Sequence, residues 1–382
     1  TDAKISALTS SKLTGALPAI SGASLTNLPA SGKAHNLVIN GAMLVAQRGT
    51  SSTTNGYGSV DRFQVNYDSG LTEAPTQEQL TLSSSDTPYA SGFRKAFRIT
   101  NGNQTSQDAN DYIQLVQKLE AQDLATSGWD YTSSSSYITL QFWVKASIAQ
   151  TFYVKIQAND NARSFTFPIN VTTSWQKLTK TISGDSNLVF NNDTGTGMEI
   201  RFIPYYGTSY TDSGHTINTW IVSTGSNQTP DNANTWFSGN DATFDVTGVQ
   251  LEVGDSATDF EHLSFQEDYL RCARYYIQMT RLPVMSNRVA GYCSCTTRFN
   301  PVPMRAIPSV SLAGTLTFNS FFYGGSQPTS TSTPGFQNNG DSGQPYGGDN
   351  MILNFSGFST SGFQTNEFGE VYGTTIRINA EL

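Results

Sequence analysis

Apolar residues recur at every second position through long stretches of this chain: Ile138, Leu140, Phe142 and Val144, then Phe152, Val154, Ile156 and Ala158, then Met198, Ile200 and Phe202. A period of two puts one set of side chains on a single face of a pleated strand and leaves polar or aromatic residues on the other. Ile113, Leu115 and Leu119 follow the same rule. Turn-forming clusters, such as Ala158-Asn159-Asp160-Asn161 and Asn191-Asn192-Asp193-Thr194-Gly195, separate the runs, so short connections and antiparallel pairing are expected. About ten strands of this kind can bury their apolar faces only by packing sheet on sheet, which predicts a jelly-roll β-sandwich over residues 36–263.

The alternation breaks register once, within residues 242–280. Phe244 and Val246 share a face, and Val249, Leu251 and Val253 resume it out of step, which predicts a β-bulge at Thr247-Gly248. After Gly254-Asp255-Ser256, Ser264 stands three residues before Glu267 as a capping box. Phe265, Tyr269, Ala273, Tyr276 and Ile277 then recur at helical spacing, so a linking helix is expected over 264–282, ended by Pro283. Strand-like sequence returns at 289–299, 310–318, 351–358 and 371–379, predicting a smaller C-terminal β-sandwich tip over 283–382. The overall fold class is mainly β. Inside the tip, residues 323–350 carry seven glycines and three prolines and almost no aliphatic side chains, a long loop of the kind that is either functional or mobile.

The first 35 residues differ from the rest. Ser11-Lys12-Leu13-Thr14 returns as Ala23-Ser24-Leu25-Thr26, and Leu17-Pro18-Ala19 as Leu28-Pro29-Ala30. One such unit cannot bury its own leucines, but three chains wound about one axis can, so a stalk and a homotrimer are expected; a flexible linker is the alternative. The sequence starts Thr-Asp without methionine, consistent with further residues before it.

Charge excludes some partners. Lys and Arg total 22 against 30 Asp and Glu, a net charge of −8 with no basic cluster, so no nucleic-acid partner is expected. No apolar run approaches the roughly 18 residues of a membrane span, so no membrane insertion is expected. Cys272, Cys293 and Cys295 offer no paired framework and are read as reduced thiols. With three scattered histidines, His35, His215 and His262, neither a metal site nor a cofactor is expected.

Several words together carry a resemblance. Thr247 to Gly254 reads TGVQLEVG, Ala257 to Glu261 reads ATDFE, and Arg274-Tyr275-Tyr276 follows; upstream stand Asn36-Leu37-Val38-Ile39-Asn40-Gly41-Ala42-Met43, Gln47-Arg48-Gly49 and Val60-Asp61-Arg62-Phe63, and downstream Pro301-Val302-Pro303-Met304-Arg305-Ala306. These resemble bacteriophage tail-fibre and receptor-binding proteins whose jelly-roll domain is similar to carbohydrate-binding modules. The resemblance implies a virion protein assembled in the bacterial cytoplasm, bound at its N-terminal end to other virion proteins and attaching the particle to a surface glycan such as lipopolysaccharide. Carbohydrate-binding jelly rolls often hold a structural calcium through an aspartate in the last strand; Thr247 and Gly248 stand at the matching positions and supply no carboxylate.

No catalytic residue is expected. Gly340-Asp341-Ser342-Gly343 matches the nucleophile loop of trypsin-like proteases, but Gln344 follows and no histidine has the matching setting. Paired carboxylates could make a glycan-degrading spike; Glu199, Asp245, Glu252 and Asp259 are explained by solvation alone. A purely structural fibre segment is the other alternative. For ligand binding the expected residues are flat aromatics among short polar side chains, which stack on pyranose rings: Phe321, Phe322, Tyr323 and Tyr346 in the tip, with Tyr205, Tyr206, Tyr210 and Trp236 in the sandwich as the second choice. Core packing is the competing account of Trp220 and Trp236.

Overall fold

The computed structural model describes residues 35–286, 291–294, 301–321, 328–336, 353–360 and 365–382. The N-terminal repeat, Cys295, Phe322, Tyr323, Tyr346 and the Gly340-Asp341-Ser342-Gly343 word lie outside them.

Twelve strands build the sandwich: β1 Ser51–Ser52, β2 Phe63–Tyr67, β3 Thr76–Thr81, β4 Lys95–Thr100, β5 Tyr112–Glu120, β6 Tyr137–Ala146, β7 Gln150–Ala158, β8 Arg163–Val171, β9 Gln176–Ser183, β10 Thr196–Tyr206, β11 Trp220–Val222 and β12 Thr243–Val253. One sheet has the order β1-β3-β4-β12-β6-β9 and the other β11-β8-β7-β10-β5-β2, antiparallel throughout. The chain crosses repeatedly from one sheet to the other, as in a jelly roll. Between the sheets the alternating residues meet: Ile138, Leu140, Phe142 and Val144 from β6 face Val154, Ile156, Ile200 and Phe202 from β7 and β10, all in one buried core. Phe142 and Phe202 touch edge to face with ring centres 5.0 Å apart.

The bulge sits where the broken alternation places it. Thr247 pairs with Trp143 and Gln250 with Gln141, so β12 carries one residue more than β6. Gly248 has φ +61, and a Cβ there would stand 2.6 Å from the Phe93 ring, so glycine meets both a backbone and a packing demand. The extra residue lets Phe244, Val246, Val249 and Leu251 all reach the core.

Two short helices, α1 Thr87–Ala90 and α2 Ala121–Ala125, decorate the sandwich, and α3 spans Phe265–Ala273. The capping box is present: Ser264 accepts from the Glu267 amide while the Glu267 carboxylate accepts from the Ser264 amide. The helix is shorter than its spacing suggests. Tyr276 and Ile277 open a strand, β13 Tyr276–Ser286, which contains Pro283. Pairing of Tyr276 with Asn379 and Ile277 with Ile378 outweighs the helical periodicity. Pro283 faces Glu370 in the ladder on one side, and among the described residues the pairing on its other side covers Met285 and Ser286.

The remaining strands are β14 Cys293–Ser294, β15 Ser309–Leu312, β16 Leu316–Ser320, β17 Thr329–Ser330, β18 Gly335–Phe336, β19 Leu353–Phe355 and β20 Phe368–Asn379. Among the described residues they form, with β13, an eight-stranded sheet around a second core that includes Leu282, Val284, Phe318, Phe355, Val371 and Ile376. Cys272 and Cys293 are both buried.

Residues His35–Leu382 form one compact unit, and buried polar contacts join the C-terminal sheet to the sandwich. Arg62 donates to Glu381 and to the Lys118 carbonyl, with its guanidinium 3.5 Å from the centre of the Tyr275 ring. Arg48 lies 3.5 Å over the Tyr276 ring and pairs with both Asp61 and Glu381. Burial pushes the Asp61 carboxyl up to about 6, against the opposing pull of Arg48 and the Gln47 hydrogen bonds. Arg305 donates to the carbonyls of Thr194, Ala380 and Glu381.

Candidate functional site

The outer face of the first sheet carries Thr139, Gln141, Trp143 and Lys145 from β6, the residues between the core positions. Trp143 is half-buried and stands opposite Thr247 of β12 on one side and Lys177 of β9 on the other. Beyond β12 the chain turns back over the sheet, held by two glutamines. Gln141 Nε2 donates to the Thr258 carbonyl at 2.8 Å, and Gln250 Oε1 accepts from the Glu261 amide at 2.8 Å. This brings Asp259, Phe260 and His262 to the β12 side of Trp143.

Phe93, Phe260 and His262 pack as a three-ring wall, with centres 4.8, 5.0 and 4.9 Å apart. His262 Nε2 lies 3.0 Å from the Ser91 carbonyl, and Gly92, with φ +95, leaves room for the imidazole. Between this wall and Lys177 lies an open groove of about 390 Å³, lined also by Gln141, Trp143 and Asp259.

Its polar groups are arranged unevenly. Arg98 and Lys145, on the same face, are neutralised by Asp245 and Asp86. Neither the Lys177 ammonium nor the Asp259 carboxylate has a hydrogen-bond or ion-pair partner among the described residues. Gln141 Oε1 is buried without a hydrogen-bond partner at the groove floor, its Nε2 being committed to Thr258 and Glu252. A half-exposed indole with an unsatisfied acceptor, a carboxylate and an ammonium around it can stack on a sugar ring and bond its hydroxyls.

The aromatic residues named from the sequence lie elsewhere. Trp236 is wholly buried, and its indole donates to the Thr243 carbonyl at 2.9 Å. Tyr205 is buried against Phe237, ring centres 4.1 Å apart, and hydrogen-bonds Gln107. Both therefore fill the core instead of presenting a stacking face, as does Trp220. Tyr206 is buried on the outer face of the second sheet, where it bonds Gln114 and where burial pushes its phenol up to about 12. Tyr210 is half-buried beside it, 5.6 Å from Tyr206 and 5.4 Å from Tyr112. Beside the C-terminal sheet, Phe321 is 60% exposed and sits next to Phe368, whose carbonyl accepts from the Phe321 amide.

The second sheet's outer face is covered by residues 207–232. Lys155 is buried beneath them, donating to Ser223 Oγ and Gln228 Oε1 at 3.1 Å each, while Arg201 donates to the same Gln228 oxygen. Burial, reinforced by Arg201 and opposed by Glu199, pushes the Lys155 ammonium down to about 7. A further opening of about 480 Å³ lies at the sandwich edge between β8 and β9, floored by Phe142 and Phe167, with Lys180 donating to Asn218 at 2.6 Å across it. Among the described residues no group of three or more His, Cys, Asp or Glu side chains is placed to hold a metal ion, and no helix is long and apolar enough to cross a membrane.

The groove residues escaped sequence reasoning because four separate segments supply them, around 91–93, 141–143, 177 and 248–262. One signal was available: Trp143 is an aromatic at an outward position of an otherwise polar row, Thr139, Gln141, Trp143, Lys145.

No protein-family model and no curated protein matches the chain. Solved structures similar to it include the enzymatically active domain of bacteriophage CBA120 tailspike protein 4, at 12% identity and a TM-score of 0.30, covering 57% of this chain and 21% of the tailspike domain. The family 11 carbohydrate-binding module of a Clostridium thermocellum cellulosomal cellulase is similar at 10% identity and a TM-score of 0.27, over 54% of this chain and 96% of the module. A putative sugar-binding protein from Bacteroides thetaiotaomicron is similar at 12% identity and a TM-score of 0.28, over 58% of this chain and 100% of that one.

Proposed function

We propose that this chain is a glycan-binding virion protein, a phage tail-fibre or receptor-binding subunit that holds a bacterial surface polysaccharide without cleaving it. The groove over Trp143 carries the glycan part of this reading. Its indole face, the vacant acceptor of Gln141 and the free Asp259 carboxylate match the alternating apolar faces and hydroxyl edges of a pyranose. Binding without hydrolysis is supported by the groove's lining, in which Asp259 is the one carboxylate; a glycosidase needs two, about 5 to 10 Å apart. The virion part rests on the sequence words around Asn36, Thr247, Arg274 and Pro301. In a homotrimer three weak sites act together, so avidity makes up for the openness of each.

Replacing Trp143 tests the reading. Trp143→Ala is expected to abolish binding to those bacterial lipopolysaccharides and capsular polysaccharides that the unaltered protein retains, with its circular dichroism unchanged. Undiminished binding overturns the groove as the receptor site. The same polysaccharides are expected to keep their size distribution on prolonged incubation, and depolymerisation would overturn the non-catalytic reading.

A further inference from the structure

We propose that the Trp143 groove takes a hexuronic acid residue within a polysaccharide chain, in preference to a neutral hexose; this rests on the glycan reading of the same groove. Three observations carry it. Lys177 is the cross-strand neighbour of Trp143 and has no carboxylate partner among the described residues, whereas Arg98 and Lys145 on that face are both neutralised from within the protein. An ammonium left unpaired beside a stacking platform is available for an anion on the ligand.

Asp259 stands across β6 from Lys177, on the β12 side, because Gln250 and Gln141 tie residues 258–261 to the sheet there. A pyranuronate has the matching polarity, with a carboxylate at C5 and a hydroxyl pair at C2 and C3 on the opposite edge of the ring. With the ring over Trp143, the carboxylate meets Lys177 and the vicinal hydroxyls donate to Asp259.

The third observation is the floor. Gln141 Oε1 is a buried acceptor with no partner, and a ring hydroxyl supplies the missing donor. Trp175 extends the platform along the chain direction. Like Trp143 it packs against the buried cluster of Ala42, Leu82, Phe93 and Ala96, is held by its indole N–H to Asp86 Oδ1 at 2.9 Å, and lies two residues before Lys177. A neighbouring sugar can therefore rest beside it, which favours an internal segment over a chain end.

The experiment is calorimetric titration of the full chain with trisaccharides matched except at C6: tri-galacturonate against α-1,4-galactotriose, and β-1,4-linked tri-glucuronate against cellotriose, with dextran sulfate as a polyanion control. At least one uronate is expected to bind about three- to tenfold more tightly than its neutral partner, the preference falling with added salt. Lys177→Met should abolish that preference by weakening the uronate more than its neutral partner. Equal affinities, an undisturbed preference in Lys177→Met, or dextran sulfate competing as well as the uronate would each overturn the hexuronate assignment while leaving the glycan reading in place. If Trp143→Ala binds every sugar as the unaltered protein does, the groove itself is excluded.

Discussion

Arg274 holds Glu120 with both arms of its guanidinium, Nε to Oε1 at 2.8 Å and Nη2 to Oε2 at 2.9 Å. One residue caps α3 and the other ends β5, so the pair fastens the C-terminal half of the chain to the sandwich. Tyr275 adds its hydroxyl to Oε1 at 2.6 Å. Glu120→Ala takes the buried carboxylate away from a guanidinium that stays partly exposed, and should destabilise by about 1–3 kcal/mol. Burial raises the Glu120 pKa, but the bonds from Arg274 and Tyr275 more than reverse this and hold it below the usual range. Its contribution is therefore present above the ordinary glutamate pKa and lost as pH falls through the depressed one. Urea unfolding of both proteins at neutral and acid pH checks this, with the difference expected to shrink in acid.

Lys155 should give a dependence of the same sign in a higher pH window. Its folded pKa of about 7 lies below the ordinary lysine value of 10.5, so between those limits the unfolded chain binds more protons and stability rises with pH. Lys155→Met removes the buried charge at the loss of two hydrogen bonds. Relative to the unaltered protein, its melting temperature should be highest near neutral pH and fall back as the buffer approaches about pH 10. A difference independent of pH would show that the ammonium is not desolvated as the structure implies.

Gly248→Ala forces a side chain into a left-handed backbone and into the Phe93 ring. A loss of about 1–3 kcal/mol is expected. Because Phe93 also walls the groove, glycan affinity should weaken in the same variant, measured under conditions where it remains folded.

Asn101 is buried at the end of β4, and its amide nitrogen bonds the carbonyls of Trp236, Phe237 and Gly239 at 2.8, 2.9 and 2.9 Å. Asn101→Ala leaves those carbonyls without their donor and should destabilise by about 1–3 kcal/mol. Tryptophan fluorescence is expected to shift to the red as water reaches Trp236.

The sandwich was legible because a strand's own period reveals its buried face: Ile138 to Val144 and Phe152 to Ala158 face the core as their alternation requires. The bulge and the capping box were equally local, each set by residues within a few positions. The end of α3 was not, since Tyr276 and Ile277 obey the helical spacing yet join a ladder whose other strand lies about a hundred residues further on. The sandwich aromatics misled for a related reason. Trp236 and Tyr205 sit in loop-like, polar sequence, and only long-range contacts with Phe152 and Phe237 draw them inward. The word Asn36 to Met43 carried meaning of another kind: Asn36 bonds Val249 and Leu251, so the domain's opening segment patches the backbone left open by the bulge.

The Arg62–Glu381 contact joins positions 319 apart, and this separation bears on how the molecule is made. A ribosome releases the sandwich strands first, while Arg62, Arg48 and Asp61 still lack the carboxylate that completes their cluster. Contacts this distant close late. The sandwich should thus exist for a time as a folded body with an open, positively charged socket, filled only when β20 has been made and pairs with β13. The order of synthesis becomes an order of assembly, in which the socket closes after the sandwich has formed.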